Sequence, residues 1–179
     1  MAASSSVSPA RSGPLAAIQD TAEGAATLRV ALRRSARDLC REFLWRHPGD
    51  ADADEVVFAL ASVALDAEQV QEAKALLDRA IKAHAESKWL DDFLYLSGYA
   101  SFLEGDDKAA LALLARVENE EFPIEGEKRG PSANRDAAIF LEGQIHHAAG
   151  RPAEAVAKYA AVEDRIIEAK QAADYFREM

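Results

Sequence analysis

Apolar residues in this chain recur at three- and four-residue intervals, which is the spacing of one helical face, and not at the strict alternation of a half-buried strand. The first long stretch covers residues 27–46. There Leu28, Leu32, Leu39 and Phe43 share a face, and His47-Pro48-Gly49 supplies the stop. From Asp52 onward, apolar segments alternate with short breaks. After Asp164 the residues Ile166, Ile167, Ala169, Ala173, Tyr175 and Phe176 continue a helical pattern, read as a C-terminal capping helix. Alanine supplies 39 of 179 residues and aromatics only 7%, a balance that suits closely approaching helices better than a sheet. The expected fold class is all-α.

The segments after Asp52 superimpose on one another. Placing Ala61, Gly98 and Gly143 in one column also brings together the breaks at Glu68, Gly105 and Gly150. It aligns Ala73 with Ala110 and Ala155, Leu77 with Leu114 and Tyr159, and Ala80 with Val117 and Val162. Physical reasons accompany these columns. Gly98 and Gly143 permit a partner helix to come close, and Gly150 can adopt the left-handed conformation that ends a helix. Pro152 suits a first helical turn, where its missing N–H costs little, and Asp106 is placed to cap the helix that follows it.

The five columns resemble the tetratricopeptide repeat, which has a small residue inside its first helix, a Gly-like turn, then Ala, a large apolar residue and a small apolar residue on its second helix. The resemblance covers residues 52–164, in units of about 52–84, 89–117 and 134–164. It implies a right-handed α-solenoid of about three helix pairs, preceded by an N-terminal amphipathic helix and closed by the capping helix, with residues 27–179 as one repeat domain. Unit spacings are 37 and 45 residues against about 34 in the family. The larger surplus falls in residues 118–135, where Pro123, Gly126, Gly130 and Pro131 among charges predict a surface loop. The family's closing proline is missing from all three units.

Charge narrows the functional classes. The net charge is −10, so the surface repels phosphate backbones and nucleic-acid binding is not expected; no apolar stretch approaches the roughly 20 residues that span a bilayer, so membrane insertion is not expected either. The helix at residues 27–46 departs from this average. Arg29, Arg33, Arg34, Arg37, Arg41 and Arg46 against Asp38 and Glu42 give it +4, leaving −14 elsewhere. Its basic side either pairs within the chain or docks an acidic partner. Residues 1–26 read as a disordered or targeting leader, rich in Ala, Ser and Pro with no acid before Asp20. The expected compartment is the cytoplasm, or an organelle matrix if the leader is a transit peptide. One cysteine, Cys40, leaves no disulfide framework, and beside Arg37 and Arg41 it reads as a small packing residue.

No nucleophile elbow, phosphate loop or dinucleotide fingerprint occurs, so no enzyme and no cofactor is expected. The run from Gly126 to Gly130 lacks phosphate-loop order. His146 and His147 are adjacent and point about 100° apart, and Glu142 with His146 makes only two candidate ligands, too few for a structural metal site. His146 is read as packing. The pairs Asp91-Asp92 and Asp106-Asp107 stand near helix starts, where they favour the helix dipole.

The resemblance also implies a concave face at i, i+4 and i+7 of each first helix. In this chain those positions are Phe58, Ser62 and Leu65, then Tyr95, Tyr99 and Phe102, then Phe140, Gln144 and His147. The face is aromatic and lacks the Lys, Arg and Asn with which family members clamp a terminal carboxylate. The expected function is a protein-binding scaffold or adaptor that takes a helix or apolar peptide of another protein in this groove. The alternatives are a structural repeat segment of a larger protein or assembly and, behind it, a metal-dependent helical enzyme using Glu142 and His146.

Overall fold

The computed structural model describes residues 22–124 and 128–178, with side chains described for residues 26–124 and 128–165. Seven helices run in chain order: α1 (Ala22–Arg46), α2 (Ala53–Asp66), α3 (Val70–Ala83), α4 (Leu90–Leu103), α5 (Asp107–Asn119), α6 (Arg135–Ala148) and α7 (Pro152–Glu178). A hairpin of β1 (Glu121–Ile124) and β2 (Lys128–Pro131) stands between α5 and α6. The chain forms two compact units, Met1–Leu39 and Cys40–Met179, with α1 running through the boundary.

In the second unit, α2 with α3, α4 with α5 and α6 with α7 form successive antiparallel-neighbour pairs, and each second helix also packs on the next first helix. The three intra-pair turns share one hydrogen-bonding scheme. Glu68, Gly105 and Gly150 all take positive φ, at 59°, 78° and 69°. Their N–H groups donate to the carbonyls of Leu65, Phe102 and His147, and the next residues, Gln69, Asp106 and Arg151, donate to Ala64, Ser101 and His146. This pair of bonds is the Schellman ending, which satisfies carbonyls that a helix would otherwise leave open. The aligned breaks in the sequence are therefore one turn used three times.

The other columns are also structural equivalents. Ala61, Gly98 and Gly143 are buried, as are Ala73, Ala110 and Ala155, and each column faces the partner helix of its pair. A Cβ added at Gly98 would stand 3.0 Å from Leu114, and one added at Gly143 would stand 2.5 and 2.7 Å from ring carbons of Tyr159. Two core clusters result. One gathers Val57, Ala61, Leu77, Ala80 and Phe93, and the other centres on Leu90, Leu94, Leu114, Val117, Leu141 and Ile145. The last turn of α1 joins the first cluster through Leu44, and Arg41 pairs with Glu72 of α3.

Three sequence expectations change. Residues 118–135 are not simply a surface loop: α5 continues to Asn119, and the hairpin behind it pairs Phe122 with Gly130. Phe122 is buried in the second cluster, so the segment is anchored by a core side chain; its turn, including Gly126, lies outside the described residues. Second, no separate capping helix starts near Asp164. α7 runs unbroken from Pro152 to Glu178, because residues 160–170 contain good helix formers and no Gly or Pro. The side chains from Ile166 to Phe176 lie outside the described ones. Third, α1 begins at Ala22, ahead of residue 27, while the rest of the proposed leader lies outside the described residues.

Two expected outcomes follow from the turn and the helix contact. Glu68→Gly should stabilise the chain by about 1 kcal/mol in urea titration, since a side chain at positive φ is penalised there and glycine is not. Gly143→Ala should cost about 1–3 kcal/mol by overpacking against Tyr159. Adding Tyr159→Leu recreates the Ala61–Leu77 pairing of the first helix pair, so the double variant should be more stable than the sum of the single losses predicts. Strict additivity would show that Tyr159 does not limit position 143.

Candidate functional site

The first helices of successive pairs lie side by side, with α4 touching both α2 and α6. The residues at i, i+4 and i+7 therefore form rows across neighbouring helices. Tyr99, Phe140, Gln144 and His147 are exposed, while Phe58, Ser62, Leu65, Tyr95 and Phe102 are half-buried. The large apolar groups among them are accessible to different degrees. Tyr99 is 36% exposed and Phe140 is 41% exposed. Tyr95 and Phe102 keep one side against the core, and burial with the neighbouring Tyr99 holds the Tyr95 phenol above its ordinary range. On the opposite side of α4, Leu94 and Ser101 are fully buried, and Lys74 of α3 donates to the Ser101 hydroxyl.

Local contacts fix several of these side chains. Phe58 stacks on Trp89 with ring centres 5.1 Å apart, and the Ser62 hydroxyl donates to the Phe58 carbonyl. Phe140 leans on Tyr159 at 5.3 Å. Pattern reading omitted Leu103 and Trp89 from the face. Leu103 is 45% exposed beside Phe102, and its spacing of four from Tyr99 is the signal that places it there. Trp89 precedes α4 and belongs to no periodic stripe, so only the fold brings it onto Phe58.

The charge of this helix row is distinctive. α2, α4 and α6 together carry seven carboxylates, Asp54, Glu55, Asp66, Asp91, Asp92, Asp136 and Glu142, against one arginine, Arg135. The second helices α3 and α5 are nearly balanced, with Lys74, Arg79 and Lys82 against Glu72 and Asp78, and Lys108 and Arg116 against Asp107 and Glu118. The negative charge is thus concentrated on the first helices, and most of it is engaged within the fold, Asp54 with His84, Asp136 with Arg165 and Glu142 with Lys158. Asp91 is buried and accepts from the Ser132 hydroxyl at 2.7 Å, and Asp92 accepts from the Asn134 amide at 2.9 Å. Beyond favouring the start of α4, the pair therefore anchors the strand-to-helix loop. Burial, only partly opposed by the Asn134 bond and reinforced by Asp91, raises the Asp92 pKa.

Glu142 and His146 are not arranged as a ligand pair. Glu142 is buried and forms an ion pair with Lys158, which also binds Glu118 at 2.7 Å. His146 is half-buried, with a buried Nδ1 that has no hydrogen-bond partner. Among the described residues no three His, Cys, Asp or Glu side chains are grouped to hold a metal ion, and no helix is long and apolar enough to cross a membrane. Burial raises the Glu142 pKa despite the pull of Lys158. Burial lowers that of Lys158, but its bonds to Glu118 and Glu142 outweigh the effect and leave it raised.

The linkage signs differ for the two groups. A raised lysine pKa stabilises the fold at all pH values below its ordinary one, and the benefit is lost as pH climbs through the raised value. A raised carboxyl pKa favours the fold below the ordinary glutamate range, and stability falls as pH rises through it. Lys158→Met leaves Glu142 buried beside Glu118, and should cost about 3 kcal/mol at pH 8. At pH 4, where Glu142 is protonated, the cost measured by denaturant titration should be distinctly smaller. Equal costs at both pH values would remove Glu142 from the account.

No family model, curated protein or solved structure matches this chain.

Proposed function

We propose that this protein is a non-enzymatic binding scaffold or adaptor, a right-handed solenoid of three tetratricopeptide-like helix pairs whose first-helix row takes an apolar segment of another protein. One observation carries the reading: large apolar side chains, Tyr99, Leu103 and Phe140, stand 36–45% exposed on adjoining helices of a single row. Contiguous exposed apolar surface rimmed by polar groups is the usual signature of an interaction site. Aromatic groups dominate the energetics of such sites because they desolvate large areas at small entropic cost.

The nine positions Phe58, Ser62, Leu65, Tyr95, Tyr99, Phe102, Phe140, Gln144 and His147 form the proposed groove. The half-buried members Phe58, Tyr95 and Phe102 are seated against the two core clusters, which holds them in place before a partner arrives. Such preorganisation lowers the entropic cost of association. Apolar character selects a partner side chain that fills the groove. The proposed setting is the cytoplasm or an organelle matrix.

The double variant Tyr99→Ala with Phe102→Ala should reduce capture of the partner from the native source by about 100-fold, the loss expected when aromatic anchors worth about 2 kcal/mol each are truncated, less some redundancy. Melting temperature should change little for Tyr99 and moderately for Phe102, which touches the core. Undiminished capture by a folded double variant would place the interaction on another surface.

A further inference from the structure

The second and third helix pairs meet at a polar cluster that holds more negative than positive charge. Glu142 of α6, its side chain only 3% exposed, shares the Lys158 ammonium of α7 with Glu118 of α5. The Glu118 and Lys158 side chains are 20% and 27% exposed, so water reaches them more readily than it reaches Glu142. Val117, Ile139, Ile145, Ala155 and Val162, each within one helical turn of a cluster member, are buried. One ammonium cannot neutralise two carboxylates. An excess negative charge therefore remains on groups drawn into the core, and a single proton would balance it.

We infer that this cluster is a proton-operated latch: uptake of a proton by Glu142 tightens the joint between the second and third helix pairs, and its release loosens the joint. The sign follows from linkage. Burial, reinforced by Glu118, holds the Glu142 carboxyl above the ordinary glutamate range even though Lys158 pulls it down. In an opened joint water reaches Glu142 and that displacement is lost, so the closed joint binds the proton more tightly. The preference for the closed joint is complete below the ordinary range and is lost as pH rises through the raised one. Local protonation with a structural readout is the usual form of such a switch.

The remaining charges leave this assignment to Glu142. His146, one turn along α6, favours ionised Glu142 when it is itself charged, and so opposes the latch. On α5, Arg116 is bound to Glu120. On α7, Glu154 and Glu163 are exposed, and Arg151, two turns before Lys158, makes no ion pair with the cluster. Asp136 of α6 is held by Arg165. The only charged side chains of α4, Asp91 and Asp92, are bound to Ser132 and Asn134. Because α6 also carries Phe140, Gln144 and His147, the latch sets the position of the third part of the groove; this consequence alone rests on the groove reading.

Two measurements on the full chain test the latch. Carbon-13 carboxyl shifts followed through a pH titration should show Glu142 protonating at higher pH than the exposed Glu154 and Glu163. Glu118→Gln should lower the Glu142 midpoint, because the like charge that helps to raise it is gone. Hydrogen exchange, corrected for the intrinsic pH dependence of amides, should show openings of α6 and the start of α7 becoming about three-fold rarer or more between about pH 8 and about pH 5. Glu142→Gln should lose that response and open as rarely at pH 8 as the wild type does at pH 5.

A Glu142 carboxyl that titrates together with Glu154 and Glu163 overturns the latch, and this is read on the unaltered chain, whether or not a variant folds. Wild-type openings of α6 that do not change with pH overturn it too, as does a Glu142→Gln chain that keeps the wild-type response. None of these outcomes bears on the groove, which the capture experiment tests separately.

Discussion

Everything else in the second unit depends on how closely each first helix can approach its second. The limiting contacts are Ala61 with Leu77, Gly98 with Leu114 and Gly143 with Tyr159, and in each the small side is matched to the bulk opposite. The tightest spot has glycine against tyrosine. Leucine admits alanine at Ala61 beside Leu77, whereas at Gly98 an added Cβ would already stand 3.0 Å from Leu114. The Schellman turn sets the geometry that makes this approach possible, since its left-handed residue reverses the chain within a few positions. Small-to-large matching and a repeated turn accompany the three helix pairs, in which α4 touches both α2 and α6.

The row of first helices is where structure becomes chemistry. Its inward sides are consumed by packing, as Leu94 and Ser101 illustrate, and of the outward positions Phe58, Tyr95 and Phe102 also lean on the core clusters, whereas Tyr99 and Phe140 are exposed. The outward positions hold aromatic and aliphatic groups. Isolated exposed apolar residues would need no explanation, but Tyr99, Leu103 and Phe140 occur on adjoining helices. The buried polar groups serve the scaffold instead. Lys158 gathers Glu118 and Glu142 between helices, and Ser132 with Asn134 fastens the hairpin exit to Asp91 and Asp92.

Much of this was legible in the sequence, because helical periodicity and turn chemistry both leave local traces. Gly105 and Gly150 announce their turns, and Glu68 could be placed only by alignment with them, since nothing about glutamate signals positive φ. The faces of α4 and α6 were marked by helical spacing together with the repeat resemblance, which left out Leu103. The hairpin could not be read, because its strands are four residues long and contain prolines, so that Phe122 and Ile124 are only a short apolar signal among charges. The run-on of α7 was hidden for the converse reason: a helix can continue past a repeat boundary when no breaker intervenes. Contacts such as Trp89 on Phe58 and Lys158 on Glu142 join separate elements, and no local pattern encodes them.

The central claim is that the outward row of α2, α4 and α6 is the binding surface. Hydroxyl-radical footprinting of the full chain, alone and with its captured partner, addresses it most directly because the method reports side-chain exposure residue by residue. The account predicts that oxidation of Tyr99, Leu103 and Phe140 falls several-fold in the complex while that of Ile124, exposed on the hairpin, stays unchanged. Protection of Ile124 with no change at Tyr99, Leu103 and Phe140 would contradict it.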